Sequence, residues 1–148
     1  MKKSFTVLIC DDYKPWREFV RKTLTKKSDV TIVGEAANGV EAVEKAQELH
    51  PDVVLIDLGL PTLNGMEAAR RIREVSPATR ILIVSEVRDS EVVEAALGIP
   101  AAGYIVKVDT AHDLLPAIEA ALQGRQQFVS PRLSKARIRE LRPESSGS

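Results

Sequence analysis

Three short, unbroken apolar runs constrain the fold more than any other feature: Phe5-Thr6-Val7-Leu8-Ile9-Cys10, Val53-Val54-Leu55-Ile56 and Ile81-Leu82-Ile83-Val84. A strand with one wet face alternates apolar and polar residues. Runs that do not alternate are those of parallel strands covered on both faces. Two weaker runs, Val30 to Val33 and Tyr104 to Val106, extend the series. Between the runs, apolar residues fall at helical spacing: Trp16, Phe19, Val20 and Leu24; Val43, Ala46 and Leu49; Met66, Ala69 and Ile72; Leu114, Leu115, Ile118 and Leu122. Ser90 to Leu97 supplies another helix, and Asn38-Gly39, Asn64-Gly65 and Ser76-Pro77 punctuate the connections.

Strand followed by helix, five times over, specifies an α/β domain with right-handed crossovers. The expected architecture is a flavodoxin-like, five-stranded parallel sheet of order 2-1-3-4-5 with helices on both faces. The 148 residues suffice for one such domain and not for two. Lys plus Arg and Asp plus Glu balance at 21 each, so any attraction to nucleic acid or anionic membrane must be local. No apolar stretch reaches the roughly 18 to 20 residues of a membrane span. The run after Met1-Lys2-Lys3 ends at Asp11-Asp12 without a cleavage site, so it reads as a strand rather than an export signal. The lone Cys10 excludes an internal disulfide and suits a reducing, cytoplasmic setting.

Residues 4–128 are expected to form the domain and 129–148 a basic linker or extra helix with a disordered tail. Ser130-Pro131 can open that helix, and Arg132, Lys135, Arg137, Arg139 and Arg142 crowd it. No aromatic residue or reading helix accompanies those charges, so direct DNA binding is not expected.

In an open parallel sheet, ligands bind beyond the carboxyl ends of the strands. The residues there are Asp11-Asp12, Asp57, Ser85 and Lys107. Each alone reads as a cap, a turn residue or a surface charge. Together they place three carboxylates, a hydroxyl and an ammonium in one crevice. Three carboxylates side by side repel one another unless a cation holds them, and Mg²⁺, which prefers oxygen ligands and retains water, fits best. Mn²⁺ shares that preference. With the cation present, Asp57 can attack phosphorus as a carboxylate nucleophile. Lys107 can then offset charge on the phosphoryl oxygens and Ser85 can hydrogen-bond one of them.

These residues bring the chain to a known pattern. With Asp57-Leu58-Gly59-Leu60-Pro61, Asn64-Gly65-Met66 and Gly103-Tyr104-Ile105-Val106-Lys107 added, the sequence resembles the receiver domain of two-component response regulators (CheY-like) over about residues 5 to 128. The resemblance implies Asp57 as phosphoacceptor and Asp11 and Asp12 as metal ligands with Asp57 and the Gly59 backbone carbonyl. It implies Lys107 as phosphate partner, and Ser85 and Tyr104 as a switch pair in which Ser85 moves to the phosphoryl group and the Tyr104 ring turns into the vacated space. A sensor histidine kinase as donor, Mg²⁺ as cofactor, an effector domain or downstream protein as recipient and a homodimer formed on phosphorylation follow in the same way. Such a chain is no enzyme beyond its own phosphorylation and dephosphorylation.

The ending Ala120-Ala121-Leu122-Gln123-Gly124, then Phe128-Val129-Ser130-Pro131, is similar to receivers of the NarL/FixJ class, which carry a C-terminal helix-turn-helix. The residues after it are too few for that domain, leaving a truncated regulator or a stand-alone receiver. Glu86 departs from the family pattern, in which a small residue commonly follows Ser85, and a carboxylate there can repel a phosphodonor. It supports the alternative of a pseudo-receiver, a protein-binding module that works without phosphorylation. Gly59 and Val87 offer no polar side chain to position a hydrolytic water, which points to slow loss of the phosphoryl group. A dehalogenase-type phosphatase would need a second Asp where Gly59 stands. A flavin carrier would need a phosphate loop where Asp11-Asp12 stand.

Overall fold

The computed structural model describes residues 4–27, 29–99, 101–124 and 126–133. Five strand and helix pairs follow in order: β1 (Phe5–Cys10), α1 (Lys14–Leu24), β2 (Val30–Ala36), α2 (Gly39–Leu49), β3 (Val53–Ile56), α3 (Gly65–Val75), β4 (Arg80–Ser85), α4 (Ser90–Gly98), β5 (Gly103–Val106) and α5 (Thr110–Leu122). A two-residue strand, β6 (Phe128–Val129), closes the series. The sheet is wholly parallel, in the order β2-β1-β3-β4-β5-β6. The expected order 2-1-3-4-5 is therefore present with one strand added. That strand forms because β5 would otherwise be an open edge. Phe128 N–H donates to Ala102 O at 3.0 Å and Ser130 N–H to Tyr104 O at 3.0 Å.

The unbroken apolar runs are explained by two separate cores. Alternate strand residues (Leu8, Cys10, Val54, Ile56, Ile81, Ile83, Tyr104 and Val106) face one layer with Ala42, Ala46, Ala68, Ala69, Ile72, Val93 and Ala96 of α2, α3 and α4. Their neighbours (Val7, Ile9, Val53, Leu55, Leu82, Val84 and Ile105) face the other, with Val20 and Leu24 of α1 and Leu114, Ala117, Ile118 and Ala121 of α5. Each fully buried Leu, Ile or Val contributes about 1.5–3 kcal/mol, so both faces must be covered for the strands to hold. The alanines of α2 and α3 let these two helices pack closely against each other over this core.

Both Asn-Gly pairs begin helices. Asn38 Oδ1 accepts from Glu41 N–H at 2.8 Å and Asn64 Oδ1 from Glu67 N–H at 3.0 Å, satisfying amides that a helix start leaves free. Asp89 caps α4 by accepting from Glu91 N–H at 2.9 Å. These caps fix where each helix departs from the loop above the carboxyl ends of the strands.

The chain after β6 returns to the domain. Ser130 is buried; its hydroxyl donates to the buried Asp113 carboxylate at 2.9 Å and accepts from Val106 N–H at 3.0 Å. Arg132 makes a two-pronged contact with Asp109, both bonds 2.9 Å. Leu133 joins the α2–α4 core. Residues 130–133 are thereby tied to the end of β5 and the turn that carries Lys107. The expected basic helix and tail otherwise fall on residues 134–148, outside the described residues. Among the described residues no helix is long and apolar enough to cross a membrane.

Candidate functional site

The parallel register sets the site. Cys10 pairs with Ile56 across β1 and β3, so Asp11 and Asp57, the next residues, leave the sheet side by side, and Asp57 N–H donates to Cys10 O at 3.1 Å. Asp12 follows Asp11 into the turn before α1. One carboxylate oxygen from each of Asp11, Asp12 and Asp57 lies within 4.8 Å of the others. Asp11 is buried, Asp57 is partly covered and Asp12 is exposed. They line a cleft of about 640 Å³ together with Lys107, Trp16, Tyr13, Glu86, Arg88, Val106 and Val108.

Backbone and arginine contacts hold Asp11 firmly. Its Oδ1 accepts from Tyr13 N–H at 2.9 Å, and Arg17, paired with Glu35 at 2.8 Å, donates to its carbonyl at 2.7 Å. Its other oxygen, Oδ2, is buried without a well-formed hydrogen bond, its charged neighbour being the Lys107 ammonium at 2.6 Å. Lys107 also lies 3.7 Å from Asp57 Oδ2. A buried carboxylate oxygen short of donors, beside two more carboxylates, is a donor set suited to a hard cation. Asp11, Asp12 and Asp57 would hold it.

Burial pushes the Asp57 carboxyl above its ordinary value of 3.8; Lys107 pulls it back, Asp11 and Asp12 add repulsion, and a hydrogen bond from the Gly59 amide steadies the ionised form. Gly59 thus meets Asp57 through its N–H, and a Cβ there would stand 3.5 Å from Asp57 Oδ2.

Ser85 and Tyr104 stand behind the cleft rather than in its lining. Ser85 is buried at the end of β4, and its Oγ accepts from Val87 N–H at 3.1 Å. The Tyr104 ring has no exposed surface, and its hydroxyl donates to Val87 O at 2.8 Å. Burial raises the phenol above its ordinary 10.0, with the neighbouring Ser85 hydroxyl acting in the opposite direction. Val87 is thus joined to both residues. Glu86 is exposed at the cleft, and Arg88 shares the same lining.

Several participants carry no signal in sequence reasoning about the acidic cluster. Tyr13, Trp16, Arg88 and Val108 reach the cleft from positions whose sequence reads as helix or loop. Ser130 and Asp113 brace the β5 terminus from 17 residues apart in sequence.

The chain matches the response regulator receiver domain family over residues 7–119. It is 39% identical over 119 residues to the nitrate/nitrite response regulator protein NarL of Escherichia coli, covering 80% of this chain and 55% of that one. It is 34% identical over 136 residues to the response regulator protein VraR of Staphylococcus aureus, covering 92% and 65%. The chain thus spans less than two thirds of the length of either. A crystal structure of a LuxR-family two-component response regulator from Aurantimonas sp. superposes with a TM-score of 0.87 at 34% identity, over 93% of this chain and 98% of that one. Sheet order, acidic cluster and these matches agree: the chain belongs to the response regulator receiver domain family of two-component systems, in its NarL class.

Proposed function

We propose that the domain is a phosphorylation-dependent switch that accepts a phosphoryl group on Asp57 from a histidine kinase, with Mg²⁺ or Mn²⁺ at Asp11, Asp12 and Asp57. The clustering of those three carboxylates, with the Lys107 ammonium 2.6 Å from Asp11 and 3.7 Å from Asp57, carries this reading. An Asp57 oxygen attacks the phosphorus of phosphohistidine, an acyl phosphate bond forms, and the phosphorus–nitrogen bond breaks with its electron pair passing to the imidazole. The cation would supply charge neutralisation at the phosphoryl oxygens. Lys107, 3.7 Å from the Asp57 carboxylate, provides a fixed positive charge on the same side.

Ser85 is the hydroxyl expected to turn to the phosphoryl group. Doing so releases Val87 N–H, and Val87 O is where the Tyr104 hydroxyl is bound, so a local change of charge reaches the β4–α4 segment. The recipient is an effector domain of the same protein or a separate partner, in the cytoplasm, with a phosphorylation-dependent homodimer as one output. Residues 4–128 with the bracing segment through Leu133 constitute the switch. No direct DNA binding is expected from this chain. Glu86 at the cleft favours a second reading, a pseudo-receiver that binds partners without phosphorylation. Intact mass after incubation with Mg²⁺ and acetyl phosphate separates the two: the switch gains one phosphoryl group, the pseudo-receiver none.

Two further outcomes are expected. Asp11→Asn should weaken Mn²⁺ or Mg²⁺ binding by about tenfold or more, because affinity follows ligand charge. Calorimetric titration measures it, and an unchanged affinity would place the cation elsewhere. Gly59 and Val87 present no polar side chain, so the acyl phosphate should decay over minutes or longer. A decay complete within seconds would contradict this.

A further inference from the structure

The Lys107 ammonium has a third neighbour, which the acidic cluster does not account for. Its nitrogen lies 4.9 Å from the centre of the Trp16 ring, inside the roughly 6 Å over which a cation is drawn to an aromatic face. Trp16 stands in the first turn of α1 and lines the cleft, while also packing against the α1–α5 core. Phe19, one turn on, braces it with ring centres 5.5 Å apart and planes tilted by 38°. The ring is therefore anchored on the fold and offers surface to the cleft.

We propose that Trp16 is a positioning residue for Lys107, its ring face holding the ammonium in the gap between Asp11 and Asp57. This rests on the reading of Asp57 as phosphoacceptor. The need for such a support follows from the contacts. Asp11 Oδ2, 2.6 Å from the ammonium, is the buried oxygen of that carboxylate left without a hydrogen bond, and Asp11 is one of the three residues that would hold a divalent cation. When Asp11 serves a cation, the ammonium keeps Asp57 and the ring. A lysine side chain is long, flexible and strongly hydrated, so without an apolar wall it returns to water. The indole, the most strongly attracting aromatic face, keeps it inside the cleft without competing for the metal, since a π-face offers no oxygen.

Trp16 is the sole tryptophan, so its emission reports this contact directly. Lys107→Met, which keeps length and removes charge, is expected to change the intensity or wavelength of that emission. Mg²⁺ should perturb the emission of the wild type more than that of Lys107→Met. With acetyl phosphate as donor, Trp16→Leu should be phosphorylated about five- to tenfold more slowly, the scale of one partly desolvated cation–π contact, and Trp16→Phe within about threefold of wild type. Mg²⁺ affinities of both variants by calorimetry should stay within about threefold of wild type, because neither loses a carboxylate. Emission indifferent to Lys107→Met would overturn the proposal, as would equal slowing in Trp16→Leu and Trp16→Phe. Should no protein in the series take up phosphoryl, the phosphoacceptor reading fails, and the emission comparison still decides the Trp16 contact.

Discussion

Asp57→Asn is expected to abolish phosphoryl uptake and, without a divalent cation at neutral pH, to melt at a higher temperature than the wild type. The first effect follows from the nucleophile. An amide oxygen has neither the charge nor the basicity of a carboxylate, and removing a nucleophile costs on the order of 10³-fold or more. The second follows from the environment. Burial and the neighbouring Asp11 and Asp12 raise the folded-state pKa of Asp57 above 3.8 despite Lys107. A group whose pKa rises on folding stabilises the fold below its unfolded value and loses that contribution as pH climbs through the folded one. Asparagine stays neutral throughout. The two proteins should therefore differ little below about pH 3.8, with the variant gaining on the wild type above it and holding its advantage at pH 7. Added Mg²⁺ should narrow the gap, because a cation restores to the wild type what carboxylate repulsion removes. Thermal melts across pH, with and without Mg²⁺, measure this. A variant less stable than wild type at pH 7 in metal-free buffer would show that Asp57 is held by structural contacts rather than under strain.

Why Asp57 could be singled out from sequence, and Trp16 could not, is a matter of geometry. In a parallel sheet the carboxyl ends of all strands point one way, so the residue after each apolar run is placed by topology alone. Asp11, Asp12, Asp57 and Lys107 are such residues, and they do share one cleft. Helical periodicity is less informative. It assigns Trp16, Phe19, Val20 and Leu24 to one apolar stripe, yet Val20 and Leu24 are buried, Phe19 is 40% exposed and Trp16 reaches the cleft. Spacing tells which side a residue faces and not how near it lies to the end of the helix where the site opens.

Ser85 and Tyr104 were legible as positions, but not Val87 as the backbone that binds both. Main-chain partners leave no mark on residue choice. β6 escaped for another reason. A two-residue strand has no period to detect, and Phe128-Val129 pairs only because the β5 edge is available. Asp113 is a third case. It lies in the first turn of α5, where an acidic residue ordinarily favours the helix dipole, so its burial against Ser130 is visible only in the fold.

The Asn64-Gly65 pair joins fold and site most closely, and its glycine gives the second large effect. A Cβ on Gly65 would lie 2.0 Å from the Asp57 carbonyl oxygen and 2.6 Å from Leu58 Cα, while the Gly65 N–H donates to Leu58 O at 2.9 Å. The start of α3 is thus pressed onto the backbone that presents the Asp57 carboxylate. Backbone cannot rotate aside as a side chain can, so Gly65→Ala should cost about 2–3 kcal/mol of stability, the upper range for overpacking. Gly39→Ala is the matched comparison. Its Cβ would lie 1.7 Å from the Leu63 carbonyl oxygen, an equally severe clash against the loop that leads into α3 rather than against Asp57. Both variants should melt early. Assayed well below either melting temperature, Gly65→Ala should take phosphoryl from acetyl phosphate about 10–100-fold more slowly than Gly39→Ala, since an ångström of displacement at a reacting group has that scale of effect. Equal rates in the two variants would mean that the Asp57 loop follows α3 without losing its aim, and that Lys107 and the acidic cluster, rather than the close approach at Gly65, set the position of the carboxylate.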